Sequence, residues 1–433
     1  MAKIVNPEKG TWSNQVISEI QYKAENGKYR IRGCGSPRKV PNFDDLMILP
    51  GQLTRMPIDT YREPCETRTV LGPAAENPLV IETPVMIAGM SFGALSKNAK
   101  IALAKATSLV GTVISNGEGG CLPEEMENSY RQSIQILASR MGFHKDLLFQ
   151  ADMLEILFGI GAKPGLAGHL MGAKITEEIS KIRQIPAGID LHSHPRSGDS
   201  FGADDLVVKI EQLREMLHKK TNGHTPPIFA KIAAARVRED IKIAVKVGFD
   251  GIILDGCTAG TGAAPVMAAD HLGIPIMPAA VQAVRTLEEI GAKDRVSLIV
   301  SGGVKDGADL AKALAIGADA VAIGTAAMVA MGCRVCMDCQ AGKCAFGIGT
   351  QDPELVAKLD IDEAAQKVAN YIKAMTEEAV LLAKAAGKTK LRNLEREDLR
   401  TMTLESCAMT GIPLAGSDLV IGQGFGFTAN NNL

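Results

Sequence analysis

The pattern that most restricts this chain is a recurrence: a short apolar run, a stretch with helical spacing, then another apolar run. VMIAGM (85–90) precedes SKNAKIALAKATSLVG (96–111), in which apolar residues repeat at helical spacing behind Ser96, a natural N-cap. TVISN (112–116) follows, then GIDLH (188–192) with a helix over 204–218, and PIFAKI (227–232) with a helix over 237–247. GIILDG (251–256), VSLIVSGG (296–303) with a helix over 306–316, and DAVAIGT (319–325) with a further helix complete the series. Strands apolar at nearly every position are buried on both faces, which calls for a parallel sheet under helices. The count approaches eight units within about 250 residues, so the predicted class is α/β, a (β/α)8 TIM barrel. An open doubly wound sheet is the alternative, since closure leaves no mark in a sequence.

Around the barrel (84–352) the reading places an N-terminal extension (1–83) that wraps it, rich in turn formers such as GCGSPRKVPNFDD. Residues 353–433 form a C-terminal helical extension, with helices over 353–387 and 390–412 and a mobile or partner-contacting tail, GFGFTANNNL. The interval 256–283, opening GCTAGTGAAP, reads as an elaborated loop at the catalytic face.

Four of the nine cysteines crowd into the loop 331–351: Cys333, Cys336, Cys339 and Cys344, spaced C-x2-C-x2-C-x4-C. In a reducing compartment such thiolates share a metal centre in preference to disulfides. One continuous run suits an iron–sulfur cluster; structural zinc, the alternative, usually takes two separated pairs. A net charge of −2 with dispersed Lys and Arg, and a single Trp, give no nucleic-acid surface. No apolar run has membrane-span length and MAKIVNPEKGTW has no signal-peptide core, which predicts a cytoplasmic protein.

Two late βα turns, VSGGV (300–304) and IGT (323–325), predict a phosphate site from backbone N–H groups near Gly302, Gly303 and Gly324. Lys231 ends an apolar strand and would face the barrel mouth, where a cation steadies an anionic ring. Glu118, among the glycines of NGEGG, could orient an amine, and Lys163 with Arg183 could clamp a dicarboxylate. His192 and His194 read as loop hydrogen-bonding groups with no carboxylate partner of known spacing, and Arg32, Arg38 and Lys39 as surface charges or an anion contact. G-x-S-x-G, P-loop and H-E-x-x-H motifs are missing.

Taken together, MIAGMSFGALS (86–96), ISNGEGG (114–120), GAKPGLAGHLMG (161–172), FAKI (229–232), GCTAGTGAAP (256–265), SGGVKDG (301–307) and the cysteine loop ending FGIGTQDP resemble the FMN-binding domain of glutamate synthases. The resemblance implies FMN beside an iron–sulfur cluster, and hydride transfer to 2-iminoglutarate, formed from 2-oxoglutarate and ammonia, to give L-glutamate. By position in the matching motifs, FMN would contact Gly89, Met90, Ser91, Gln135, Lys231, Gly302, Gly303, Gly324 and Thr325. Glu118, Lys163 and Arg183 would meet 2-oxoglutarate and its imine, and Cys333, Cys339 and Cys344 would hold a [3Fe–4S] cluster. Cys336 is an added thiol that makes [4Fe–4S] possible, His169 stands where the large synthases usually have Gln, and Ile160 replaces a polar residue. The chain is similar to a free-standing FMN subunit of a hetero-oligomer, with a glutaminase subunit, a Gly-repeat β-helix subunit and an electron-donor subunit or ferredoxin as separate partners. YREPCETRTVLG (61–72) and ESCAMTGIPLAG (405–416) also resemble the short subunits of N-methylglutamate synthase, which join methylamine to glutamate. That sister activity is the alternative function.

Overall fold

The computed structural model describes residues 11–196, 198, 202–417 and 420–421; GFGFTANNNL lies outside them. Eight parallel strands close into a barrel in which each pairs with its neighbour in sequence and the last with the first. They are β1 (Val85–Ile87), β2 (Val113–Ser115), β3 (Arg131–Ile136), β4 (Met153–Leu157), β5 (Ile228–Ala233), β6 (Gly251–Asp255), β7 (Ser297–Ser301) and β8 (Ala320–Ile323). The closing pair sets Val321 against Val85 and Ile323 against Ile87. The (β/α)8 TIM barrel is therefore the fold, and the open sheet is ruled out.

Alternation along the strands sorts the interior into two levels. Met86, Val113, Met153, Phe229, Ile253 and Ile299 form an apolar lower plug. One inward step further up, Glu155, Lys231, Asp255 and Ser301 are buried polar groups at the mouth. A hairpin from the N-terminal extension, Thr69–Leu71 with Leu79–Ile81, closes the bottom by adding Leu71, Leu79 and Ile81 to the plug.

One expected strand leaves the barrel and two unexpected ones enter it. GIDLH contributes only Leu191–His192, paired antiparallel with His169–Leu170 in a loop above the barrel. The missing barrel strands are β3 and β4, RQSIQI and MLEIL. Their inward positions carry Gln135 and Glu155, so they fail a test that looks for uninterrupted apolar runs.

The stretch 390–412 is not one helix. It folds as turns at Leu391–Asn393 and Arg396–Asp398, a strand Leu399–Thr401, and a helix Leu404–Thr410. Glu395 and Asp398 cap one another's backbone, and Thr403 caps Ser406, so two helix starts compete within a dozen residues. The helix expected over 353–387 divides into a short one, Pro353–Val356, and a long one, Ile361–Ala385, which starts behind Asp360 and packs on the helices Lys97–Val110 and Gly307–Ile316.

The N-terminal extension carries a surface helix, Asn14–Asn26, capped by Ser13, which sequence reading missed because no residue of it is buried. Elsewhere the first 83 residues make two pairings: Leu46–Ile48 with Leu399–Thr401, and Ile31–Arg32 with Ala264–Pro265. Arg32 and Arg38 are not free anion sites: Arg32 pairs with Asp270, and Arg38 donates to the Asp270 carbonyl. Phe43, 1% exposed, joins the main core, and its carbonyl accepts from Lys312 at 3.0 Å. Phe43→Ala should cost about 3–5 kcal/mol, read as a lower denaturant midpoint; an unchanged midpoint would show the extension to be dispensable.

Candidate active site

One cavity of about 830 Å³ opens at the carboxyl ends of the strands. Every site residue expected from the sequence lines it: Gly89, Met90, Ser91, Glu118, Gln135, Lys163, His169, Arg183, Lys231, Gly302, Gly303, Gly324, Thr325, Cys333, Cys336, Cys339 and Cys344.

At the floor, Glu155 accepts from Ser133 Oγ at 2.9 Å and from Gln135 Nε2 at 3.0 Å. Lys231 Nζ stands 3.9 Å from its Oε2. Sequence reading missed Glu155 together with its strand; a lone carboxylate in MLEIL was the signal. The charge on Glu155 balances Lys231, which is 4% exposed, and leaves its ammonium at the cavity floor. Beside them Lys100, fully buried and paired with Glu125 at 2.8 Å, donates to the carbonyls of Met90 and Asn116 and so ties together the turns after β1 and β2.

At the far wall, Gly302 and Gly303 have φ of +108° and +86°, so any side chain there would be strained. Gly324 differs: a Cβ would make only ordinary contacts with Ala88 and Met90, so its smallness widens the cavity. Two first-turn donors of the helix Gly307–Ile316 are already used, Asp309 N on Asp306 and Gly307 N on Glu378. The Gly302–Gly303 and Gly324–Thr325 turns line the cavity itself.

Above the floor, Glu118 accepts from Ser193 Oγ at 2.7 Å. Lys163 spends one of its three N–H groups on the Ala263 carbonyl at 2.8 Å. Arg183 gives Nε and an Nη to the Phe92 carbonyl, at 3.1 and 2.7 Å. Burial lowers the pKa of both cations, and the field of Glu118 only partly offsets this. Two desolvated cations against one carboxylate leave an excess of positive charge that suits a dicarboxylate.

His194 lines the cavity, and the exposed His192 stacks its ring on His169 with centroids 4.2 Å apart. Asp190 stands 4.0 Å from His169 Nε2, a carboxylate that sequence spacing did not reveal. Burial and the His192 charge lower the pKa of His169, with Asp190 opposing.

The cysteines line the rim. Among the described residues no three of their thiols lie mutually within 4.8 Å, whereas thiolates around one zinc at ~2.3 Å would sit about 3.8 Å apart. Lys174, unnoticed in the sequence, donates to the Cys339 and Ala94 carbonyls at 3.0 Å each; burial pulls its pKa down to about 8 against the pull of Cys339 and Cys344. Such a cation complements a thiolate-rich centre.

A closed parallel barrel with a buried lysine at its floor, paired glycine turns and a thiol rim defines a cofactor-binding (β/α)8 enzyme scaffold. Residues 38–389 match the family described as "Conserved region in glutamate synthase". A glutamate synthase large subunit-like protein of Rhizobium meliloti is 43% identical, covering 96% of this chain and 97% of its own. The archaeal glutamate synthase [NADPH] of Methanocaldococcus jannaschii is 39% identical over 94% of this chain and 85% of its own. The chain belongs to the glutamate synthase family. Among solved structures, a flavocytochrome b2 mutant with pyruvate bound (TM-score 0.53, 16% identity, 84% of this chain and 78% of that one) and a Pediococcus acidilactici lactate oxidase (0.52, 16%, 83% and 84%) share the barrel fold. No helix among the described residues is long and apolar enough to cross a membrane.

The Lys163 environment gives a pH expectation. Its lowered pKa means that the ammonium is lost at a lower pH than an exposed lysine's, so affinity for glutarate should fall as pH rises towards 10.5. Lys163→Arg should flatten that dependence in calorimetric titrations. Affinity unchanged to pH 10.5 in the wild type would remove Lys163 from the anion site.

Proposed function

We propose that this protein is an FMN- and iron–sulfur-dependent oxidoreductase that reduces 2-iminoglutarate, formed from 2-oxoglutarate and ammonia, to L-glutamate. The observation that carries the reading is the meeting in one cavity of the Lys231 floor, the glycine turns, the Lys163–Arg183–Glu118 wall and the cysteine rim. FMN, when bound in reduced form, would supply hydride-transfer chemistry to the imine. Gly89, Met90, Ser91, Gln135, Gly302, Gly303, Gly324 and Thr325 would hold it, and Lys231 would face the electron-rich edge of its ring. Lys163 and Arg183 orient the two carboxylates of the substrate, and Glu118, fixed by Ser193, faces the nitrogen. Cys333, Cys339 and Cys344 would hold a [3Fe–4S] cluster, or [4Fe–4S] with Cys336. Ammonia and electrons would come from separate glutaminase, β-helix and electron-donor chains, in a cytoplasmic hetero-oligomer.

The test is anaerobic purification with a visible spectrum and iron count, then addition of 2-oxoglutarate and ammonium to the reduced protein. Flavin reoxidation with stoichiometric glutamate is expected, and a colourless, iron-free protein would refute the reading. Lys231→Met should lose flavin or slow its reoxidation by about 10²–10³-fold, the scale of one lost electrostatic group at a reacting centre. Cys339→Ala should lose the cluster absorbance. A second reading, FMN subunit of an N-methylglutamate synthase, is supported by the likeness of YREPCETRTVLG (61–72) and ESCAMTGIPLAG (405–416) to its short subunits. Product from methylamine and glutamate, with none from ammonium and 2-oxoglutarate, would select it.

A further inference from the structure

Above the barrel mouth, the antiparallel ribbon of His169–Leu170 with Leu191–His192 carries a cluster of side chains that the proposed chemistry leaves largely unused. His169 and His192 are register partners, and Asp190 lies two positions before His192, so the three fall on one face of the ribbon. Leu170 and Leu191, at the alternate positions, pack with Phe92, Ile175 and Ile179, which anchors the ribbon from its other face. The ligand atoms of His169, Asp190 and His192 all lie within 4.8 Å of one another. Asp190 commits Oδ1 to Gly172 N at 2.6 Å and leaves Oδ2 4.0 Å from His169 Nε2, too far for a hydrogen bond. His169 Nε2 is itself buried with no hydrogen-bond partner among the described residues. A buried ring nitrogen in that state calls for an explanation.

We propose that His169, Asp190 and His192 form a binding site for a divalent cation of the zinc class, which clamps the ribbon and so fixes the wall that holds Glu118. Two imidazoles and one carboxylate suit zinc and its first-row neighbours, whereas magnesium and calcium seek oxygen ligands alone. Zinc held by three protein groups keeps a fourth position for water. Nitrogen and oxygen ligands at ~2.1 Å around a tetrahedral ion would stand ~3.4 Å apart, so the Asp190–His169 gap need close by only ~0.6 Å. His192 is exposed and free to turn from its stack on His169 to aim a nitrogen at the same point. The plain alternative, two stacked rings beside a surface carboxylate, leaves the buried Nε2 unexplained. The consequence for the cavity is mechanical. Ser193 follows His192; its N–H donates to the Gly168 carbonyl at 3.0 Å, and its Oγ accepts from Gly168 N and donates to Glu118, each at 2.7 Å. A cation that ties His169 to Asp190 and His192 therefore holds together the two strands on which Glu118 depends. None of its three ligands is a thiol of the rim or a group expected to hold the flavin, so the inference stands apart from both.

The test uses the full-length protein, purified anaerobically as wild type, His192→Ala, Asp190→Asn and, as a control for the thiols, Cys336→Ala. His192 and Asp190 are exposed, so neither replacement removes core packing. Calorimetric titration with Zn2+ gives affinity, the visible spectrum with Co2+ separates nitrogen and oxygen ligands from thiolates, and amide hydrogen exchange reads the ribbon. Wild type and Cys336→Ala should take up a Zn2+ that His192→Ala and Asp190→Asn bind about 100-fold more weakly, the upper end of what loss of an outer-shell partner costs. The Co2+ complex should show no thiolate band, and exchange of the Ser193 N–H should slow with Zn2+ in the wild type but not in His192→Ala. Equal Zn2+ affinity in the wild type and both ribbon variants would overturn the proposal. So would a Co2+ spectrum dominated by thiolate bands that Cys336→Ala removes. Zn2+ binding that leaves exchange at Ser193 unchanged would also overturn it, because the ribbon would then not be clamped.

Discussion

The buried polar layer at the top of the barrel is what the rest of the molecule has to support. Glu155 and Lys231 sit almost out of water, and each would be strongly destabilising alone. Ser133 and Gln135 satisfy the two carboxylate oxygens, and the carboxylate in turn balances the ammonium. Such a network holds its geometry only if the strands beneath do not shift. The apolar plug below, from Met86 to Ile299, and the hairpin that stoppers it provide that fixed base.

The second support is the loop after β6, which links three parts of the cavity that come from distant sequence. Its Thr261 carbonyl receives Cys34, its Ala263 carbonyl receives Lys163, and Ala264–Pro265 pairs with Ile31–Arg32. Asp255 at the end of β6 accepts from Gly161 N at 2.8 Å, which anchors the turn carrying Lys163. The N-terminal extension is thus wall as well as wrapping. It brings Cys34 to the cysteine-lined rim of the cavity, and the loop that receives it also braces Lys163.

Legibility in the sequence followed burial. Strands such as PIFAKI and GIILDG are apolar on both faces and announce themselves, and Ser96 and Asp306 cap the helices expected after them. β3 and β4 were hidden for a functional reason, since Gln135 and Glu155 break the apolar run that marks a buried strand. GIDLH misled in the opposite sense: its apolar letters are spent on a two-residue pairing above the barrel. Glycine turns, Lys231, Lys163 and the cysteine run were legible because each sits in a local context that restricts its use.

By itself, the sequence determined the class of fold, the cysteine spacing, the glycine turns at the ends of the last two strands and the family motifs. These are local properties, set by periodicity, capping and backbone freedom within a few residues. Only the tertiary structure decided which distant groups meet: Glu155 with Lys231, Asp190 and His192 with His169, Lys174 with Cys339, and the Gly33–Cys34 turn with Met337 and Thr261. The reason is physical. Barrel closure and the wrapping extension bring together side chains whose separation in sequence carries no information, and whether a buried charge is tolerated depends on the partner it finds there.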